Sequence, residues 1–213
     1  MDNLTVIYYT SNQENVEFEN KIQQSLLKAI GDLPLISVSQ KPINFGKNIC
    51  VGDVGLSNQN IRRQFQIGAK EVNTKFVCAA EADFLYVPEY FNFQPERDDT
   101  IYYADNLYVL WHHKAGFRPK KQSEGAIVVN RDYIVSEIED MYKDNGEWQY
   151  ELESRSEAKY IFKRCNTEPF RNDSPIVTFK TGNSLHFASP TSKIDKYEIP
   201  YWGSAKELRG KYL

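Results

Sequence analysis

The chain has 213 residues, enough for one domain with a real core, and its 41% hydrophobic and 14% aromatic content excludes a disordered or low-complexity protein. A net charge of −3 and a sequence pI near 5.7 exclude a globally basic nucleic-acid binder and create no demand for a membrane partner, which leaves only local basic patches to consider. Cys50, Cys78 and Cys165 are far apart and form neither a CxxC pair nor a zinc spacing, so buried reduced thiols are expected. No segment approaches the ~20 apolar residues that span a bilayer, and the first apolar run is too short for a signal peptide and has no basic residues before it. The expected location is the cytoplasm, with no membrane partner.

In chain order, residues 4–9 read as a buried strand that stops at Thr10-Ser11-Asn12-Gln13. Ser11 and Glu14 have capping-box spacing, which predicts a helix start there. Phe18, Ile22, Leu26, Ala29 and Ile30 then recur at helical spacing up to Gly31, a natural stop. Residues 34–39 predict a second strand. A loop over 40–56 follows, carrying Gly46, Gly52 and Gly55, and Ser57 can cap a helix whose face is Ile61, Phe65, Gly68, Ala69 and Val72. Residues 75–80 predict the third strand. This β-α-β-α-β order argues for a parallel sheet flanked by helices.

The second half is less regular. Strands are predicted over 100–104 and 107–111, joined through Asp105-Asn106 as a hairpin, and over 125–129 and 175–180. A helix is predicted over 133–142. Ser154 and Glu157 repeat the capping-box spacing before a short helix ending near Arg164. No repeat, biased tract or linker divides the chain, so one domain is expected.

Several constellations carry chemistry. Glu81-x-Asp83 follows the third strand directly, and ligands of open α/β sheets bind at the carboxyl ends of strands. Residues two apart on an extended chain share a side, so the two carboxylates would face one point and suit a hard cation; a solvated acidic loop is the alternative. His186, after the last predicted strand, could complete such a site or simply sit beside a turn. Tyr9-Thr10-Ser11-Asn12, at a strand-to-helix junction, offers hydroxyls and an amide to a nucleoside, or merely a helix cap. Gly52, Asp53 and Gly55, with Arg62 and Arg63 beyond them, could let backbone and guanidinium approach phosphate, or could be a solvated loop.

The stretch from Trp111 to Lys121 places Lys114, Arg118, Lys120 and Lys121 among aromatics, a composition that can grip a phosphate backbone. His112 and His113 are expected on opposite faces of a strand, and so not to chelate one ion. Glu124 and Asp173, near predicted strand ends, are candidate general bases.

Taken in order, Val6-Ile7-Tyr8-Tyr9-Thr10, Ile36-Ser37-Val38-Ser39, residues 55–66, the strand ending in Glu81-Ala82-Asp83, Gly125-Ala126-Ile127-Val128-Val129-Asn130-Arg131 and Gly182 to His186 resemble the GT-A glycosyltransferases, in particular small family-2-like members from phage and bacterial genomes. The resemblance covers most of the chain. It implies a single GT-A-like, Rossmann-like α/β domain with a mostly parallel central sheet. Residues 1–83 would form the nucleotide-sugar half and 84–213 the acceptor half. It implies a nucleotide-sugar donor such as UDP-glucose, a Mn²⁺ or Mg²⁺ ion on Asp83 and His186, and Glu81 near the ribose or a metal-bound water. It also suggests an acceptor hydroxyl on a hydroxymethylated pyrimidine of phage DNA. The first acid is Glu where the family motif has Asp, and no late acidic motif matches the family's inverting base.

Overall fold

All residues of the first strand, Leu4–Thr10, are buried, yet alternate ones enter two different cores. Val6 and Tyr8 join Leu26, Ile30, Tyr90 and Phe91; Ile7 and Tyr9 join Phe65, Ala69, Ile134 and Ile138. A strand covered on both faces belongs at the centre of a helix-flanked sheet. The computed structural model, which describes residues 3–150, 160–184 and 196–213, places it there.

The elements run β1 (Leu4–Thr10), α1 (Val16–Ile30), β2 (Leu35–Ser39), β3 (Lys47–Cys50), α2 (Asn58–Lys70), β4 (Phe76–Glu81), β5 (Phe84–Leu85), α3 (Pro88–Phe91), β6 (Thr100–Ala104), β7 (Leu107–Trp111), β8 (Phe117–Lys120), β9 (Ile127–Asn130), α4 (Arg131–Met141), α5 (Tyr160–Arg164), β10 (Asn166–Phe170), β11 (Ile176–Lys180), β12 (Glu198–Ile199), β13 (Gly203–Ser204) and α6 (Ala205–Tyr212). The main sheet has the order β10-β6-β9-β4-β1-β2-β3. Its neighbours are parallel except at β9, which runs antiparallel to both β4 and β6. This is the mostly parallel α/β architecture expected.

A second sheet, β5-β11-β7-β8, was not foreseen. Tyr108, Leu110, Phe117, Val177 and Phe179 pack one of its faces against Phe18 and Ile22 of α1 and Leu208 and Tyr212 of α6. Residues 100–104 and 107–111 are therefore not a hairpin. Asp105 and Asn106 lead from β6 in the main sheet to β7 in the second, where β7 pairs with β11 in parallel and β8 in antiparallel.

α1 starts later than predicted. Its N-cap is Asn15, whose side chain accepts from the N–H groups of Glu17 and Phe18, so Ser11 and Glu14 form no capping box. Ser57 caps α2 as expected, accepting from Asn60 N–H at 3.0 Å. α2 lies so close to the sheet that a Cβ on Gly68 would stand 2.5 Å from Ile7 Cγ2. Its polar face is buried as well. Gln64 donates to the carbonyls of Thr10 and Val38, and Asn60 exchanges hydrogen bonds with the backbone of Gln149. The Ser154–Glu157 cap lies outside the described residues. Of the thiols only Cys78 is fully buried; Cys165 is half-buried, and Cys50 is exposed because it ends the edge strand β3. Among the described residues no helix is long and apolar enough to cross a membrane.

Candidate active site

β1 and β4 are parallel neighbours with Tyr9 opposite Glu81, so both side chains leave the sheet on the same face at its carboxyl edge. The Tyr9 hydroxyl donates to Glu81 Oε1 at 2.9 Å. Below them the Tyr86 hydroxyl accepts from Glu81 N–H and donates to the Gly125 carbonyl. Gly125 is required there, since a Cβ would lie 2.6 Å from Glu81 Cδ and 2.9 Å from the Phe84 ring. Burial first, then the negative charge of Asp83, raises the Glu81 carboxyl to about 7, against the opposing pull of Lys120 and Lys180 and the Tyr9 hydrogen bond.

Asp83 marks the junction of the two sheets. Its carbonyl accepts from Phe179 N–H at 2.8 Å, which carries the chain from β4 into β5 beside β11. This contact brings up Lys180, whose ammonium lies 3.4 Å from Asp83 Oδ2, the two side chains being only 15% and 13% exposed. Lys120, at the end of β8, donates to Ser123 Oγ at 2.8 Å and stands 5.8 Å over the Phe84 ring. Burial and the neighbouring Lys180 charge lower its ammonium to about 8, partly offset by Glu81, Asp83 and Glu124.

These groups line one cavity of about 660 Å³ between the main sheet and the second sheet. Tyr9, Thr10 and Ser11 line it from β1; Leu56, Asn58, Ile61 and Gln64 from α2 and the segment before it; and Glu124 from the turn before β9. The second sheet contributes Val109, Trp111, Arg118, Lys120 and Lys180, alternate positions of three paired strands. Trp111 buries its indole N–H without a hydrogen-bond partner among the described residues, a donor aimed at no protein acceptor. Glu14 also lines the cavity. It accepts from the Thr181 hydroxyl at 2.7 Å, and burial raises its carboxyl. The sequence pattern had assigned Glu14 to a helix cap.

Several predicted site residues lie elsewhere. Gly52, Asp53 and Gly55 do not line the cavity. Asn12 takes a left-handed φ of 55° and its side chain accepts from Lys41 N–H, so it serves the turn. Arg62 is committed to a bidentate ion pair with Glu124, at 2.7 and 2.8 Å, and to the Tyr142 hydroxyl. Arg63 binds Gln66 and the Tyr142 carbonyl. Neither arginine reaches the cavity, because both face the α2–α4 contact. Glu124 does line the cavity, but with both oxygens on Arg62. Asp173 is exposed on the loop before β11, at the opposite end of that strand from Lys180, and does not line the cavity.

Lys114 lies over the Trp111 ring, and Lys120 is turned into the cavity, which leaves Arg118 and Lys121 at its rim. The His112 and His113 ring centroids lie 4.7 Å apart, edge to face, in the turn after β7, so the rings do not point to opposite faces. His186 lies outside the described residues.

Of the two predicted metal ligands, only Asp83 is among the described residues. Among the described residues no three His, Cys, Asp or Glu side chains gather as metal ligands. Asp83 already faces an ammonium, and Glu81 is hydrogen-bonded to Tyr9 and wedged over Gly125. The positive charge beside the pair comes from lysine.

No protein-family model matches the sequence, and no curated protein matches it. Solved structures do. The inositol-1-phosphate CTP transferase from T. maritima superposes with a TM-score of 0.53 at 10% identity, covering 85% of this chain and 91% of that one. S. aureus TarS 1-349 in complex with UDP-GlcNAc gives 0.54 at 12% identity, covering 88% of this chain and 62% of that one. A second structure of S. aureus TarS 1-349 gives 0.52 at 11% identity, covering 83% of this chain and 60% of that one. The chain thus spans about three-fifths of TarS 1-349 and nearly all of the CTP transferase. The class these superpositions define is the GT-A-like α/β fold, shared by glycosyltransferases and nucleotidyltransferases. The resemblance to GT-A glycosyltransferases read from the sequence therefore holds at the level of fold, and the reaction must be argued from the cavity.

Proposed function

We propose that this chain transfers a sugar from a nucleotide diphosphate donor to an acceptor hydroxyl. The observation that carries the proposal is the convergence of Tyr9, Glu81 and Asp83 with Lys120 and Lys180 in one cavity at the carboxyl ends of β1 and β4. A volume of about 660 Å³ suits a nucleotide sugar. Residues 1–83 supply the nucleoside edge through Tyr9, Thr10 and Ser11, and residues 84–213 supply the acceptor side. In the reaction the bond from the sugar's anomeric carbon to the diphosphate breaks and its electron pair stays on the diphosphate oxygen. The acceptor oxygen bonds to that carbon and its proton passes to a cleft carboxylate. The two ammoniums face the charge that develops on the departing diphosphate.

The TarS complex, described with UDP-GlcNAc, favours a UDP-sugar, and UDP-glucose is the specific donor proposed. Arg118 and Lys121 at the cavity mouth suit a polyanionic acceptor, a hydroxymethylated pyrimidine in DNA, over a neutral polysaccharide. Nucleotidyl transfer is the rival on this fold. It is disfavoured because residues 11–15, between β1 and α1, contain no Gly, Lys or Arg with which to cradle a triphosphate.

The test is transfer from labelled UDP-sugars to hydroxymethylated DNA and to polysaccharide, with UTP or CTP plus a sugar phosphate as the competing reaction. Release of UDP is expected, and Asp83→Asn is expected to lose turnover while melting like the wild type. Release of pyrophosphate in the competing reaction, with no sugar transfer, would remove the proposal; full turnover by Asp83→Asn would remove Asp83 from the scheme.

A further inference from the structure

The second sheet turns one face toward the cavity, and that face is cationic. Alternation puts Arg118, Lys120 and Lys180 on it while Phe117 and Phe179 go to the opposite, apolar side. Two of these cations are partly buried. Lys180 is 15% exposed at its side chain, and its only ion-pair partner among the described residues is Asp83 at 3.4 Å, a loose contact. Lys120 makes no ion pair among the described residues. Its ammonium rests on a neutral hydroxyl, Ser123 Oγ at 2.8 Å, and over the Phe84 ring.

Partly burying an ammonium that makes no direct ion pair is costly, even with the charges of Glu81, Asp83 and Glu124 nearby. The cost is larger when a second ammonium lines the same cavity, and burial first, then the Lys180 charge, lowers the Lys120 ammonium. Such an arrangement is relieved by an anion that reaches both groups. The anion must fit a cavity whose other wall is Tyr9, Thr10 and Ser11, which suits the diphosphate of a nucleotide.

We propose that Lys120 and Lys180 together hold the donor's diphosphate and supply the positive charge beside Glu81 and Asp83, so that donor binding requires no divalent ion. The proposal rests on the reading of the cavity as a nucleotide-diphosphate site. Lys180 then has two partners, Asp83 before binding and a phosphate oxygen after it. Asp83 acts as a positioning residue that keeps the Lys180 ammonium at the cavity wall, and Ser123 does the same for Lys120. A lysine is a point charge on a flexible stem, so both can follow the diphosphate as it leaves.

The test is isothermal titration of the protein with UDP, and with uridine as the phosphate-free control, in EDTA and again with Mn²⁺ added. UDP affinity is expected to change less than about twofold between the two conditions. Lys120→Met and Lys180→Met are each expected to weaken UDP about tenfold to a hundredfold while leaving uridine unchanged, the loss of a charge-assisted contact. Lys120→Met breaks no direct ion pair among the described residues and is expected to fold, as thermal melting will report; it keeps the test decisive if Lys180→Met does not fold. UDP binding that appears only with Mn²⁺, or UDP affinity retained in Lys120→Met, overturns the inference and leaves the glycosyltransferase reading standing. Failure of UDP and of other nucleoside diphosphates to bind under either condition overturns that reading itself.

Discussion

Glu81 is the residue at which stability and chemistry pull in opposite directions. Its carboxyl titrates at about 7 in the folded chain against an ordinary value of 4.5, because it is buried beside Asp83. A carboxyl with a raised folded value binds its proton more tightly when folded. Its favourable contribution is therefore complete below about pH 4.5 and is lost as pH rises toward 7, on the order of 3 kcal/mol in all. Lys120, at about 8, stays protonated in both states across that window and does not contribute to the slope. Glu81→Gln should therefore melt higher than the wild type at pH 7.5 and lose that advantage by pH 5, which paired melting curves at the two pH values will show. Equal melting temperatures at pH 7.5 would mean that the charged carboxylate is not destabilised where it sits. The acidic pair itself was legible in the sequence, because a short apolar run ending in Glu-Ala-Asp says where a strand stops. Its electrostatics were not, since Lys120 and Lys180 come from strands 37 and 97 residues beyond Asp83.

At the scale of the element, α2 shows what hydrophobic periodicity reveals and what it hides. Ile61, Phe65, Gly68 and Ala69 announced a helix lying on a sheet. The same helix also buries Asn60, Arg62, Gln64 and Gln66, whose partners are backbone and side-chain groups of other segments. No spacing rule exposes such partners, so Arg62 looked like a surface guanidinium available to phosphate. Its side chain is 4% exposed and that of Glu124 18%. Removing the guanidinium strands a mostly buried carboxylate, so Arg62→Met should cost about 3 kcal/mol, read as a lowered urea midpoint with an unchanged slope. A cost near zero would show the pair to be dispensable packing. Three of the missed strands share a cause. β3, β8 and β10 are all sheet edges, where charged residues and prolines such as Pro119 and Pro169 are tolerated and the alternating apolar signal fades.

For the whole molecule, the cavity lies between two sheets that are joined by short passages of chain, from Glu81 to Phe84 and through Asp105 and Asn106. A ligand in contact with both walls should act as a further tie between them. A UDP-sugar at about 100 times its Kd adds roughly 2.7 kcal/mol to a folded state that alone binds it. For a chain of this size that raises Tm by roughly 5–10 °C. The shift should be smaller for uridine, which lacks the diphosphate that would meet the second sheet. Equal shifts for the two would confine binding to the β1 wall.

The wall of that cavity depends on strand parity. Position 180 presents a charge and position 179 an aromatic ring only because β11 is paired with β7 in the one alignment that sets Lys180 against Trp111. Slide β11 by a single residue and the ring enters the cleft while the ammonium is pressed into an oily seam against α6. An insertion or deletion of one residue within 176–180 would thus switch off the site and strain the fold in the same stroke, whereas a change of two would restore the facing and shift only the depth of the charge.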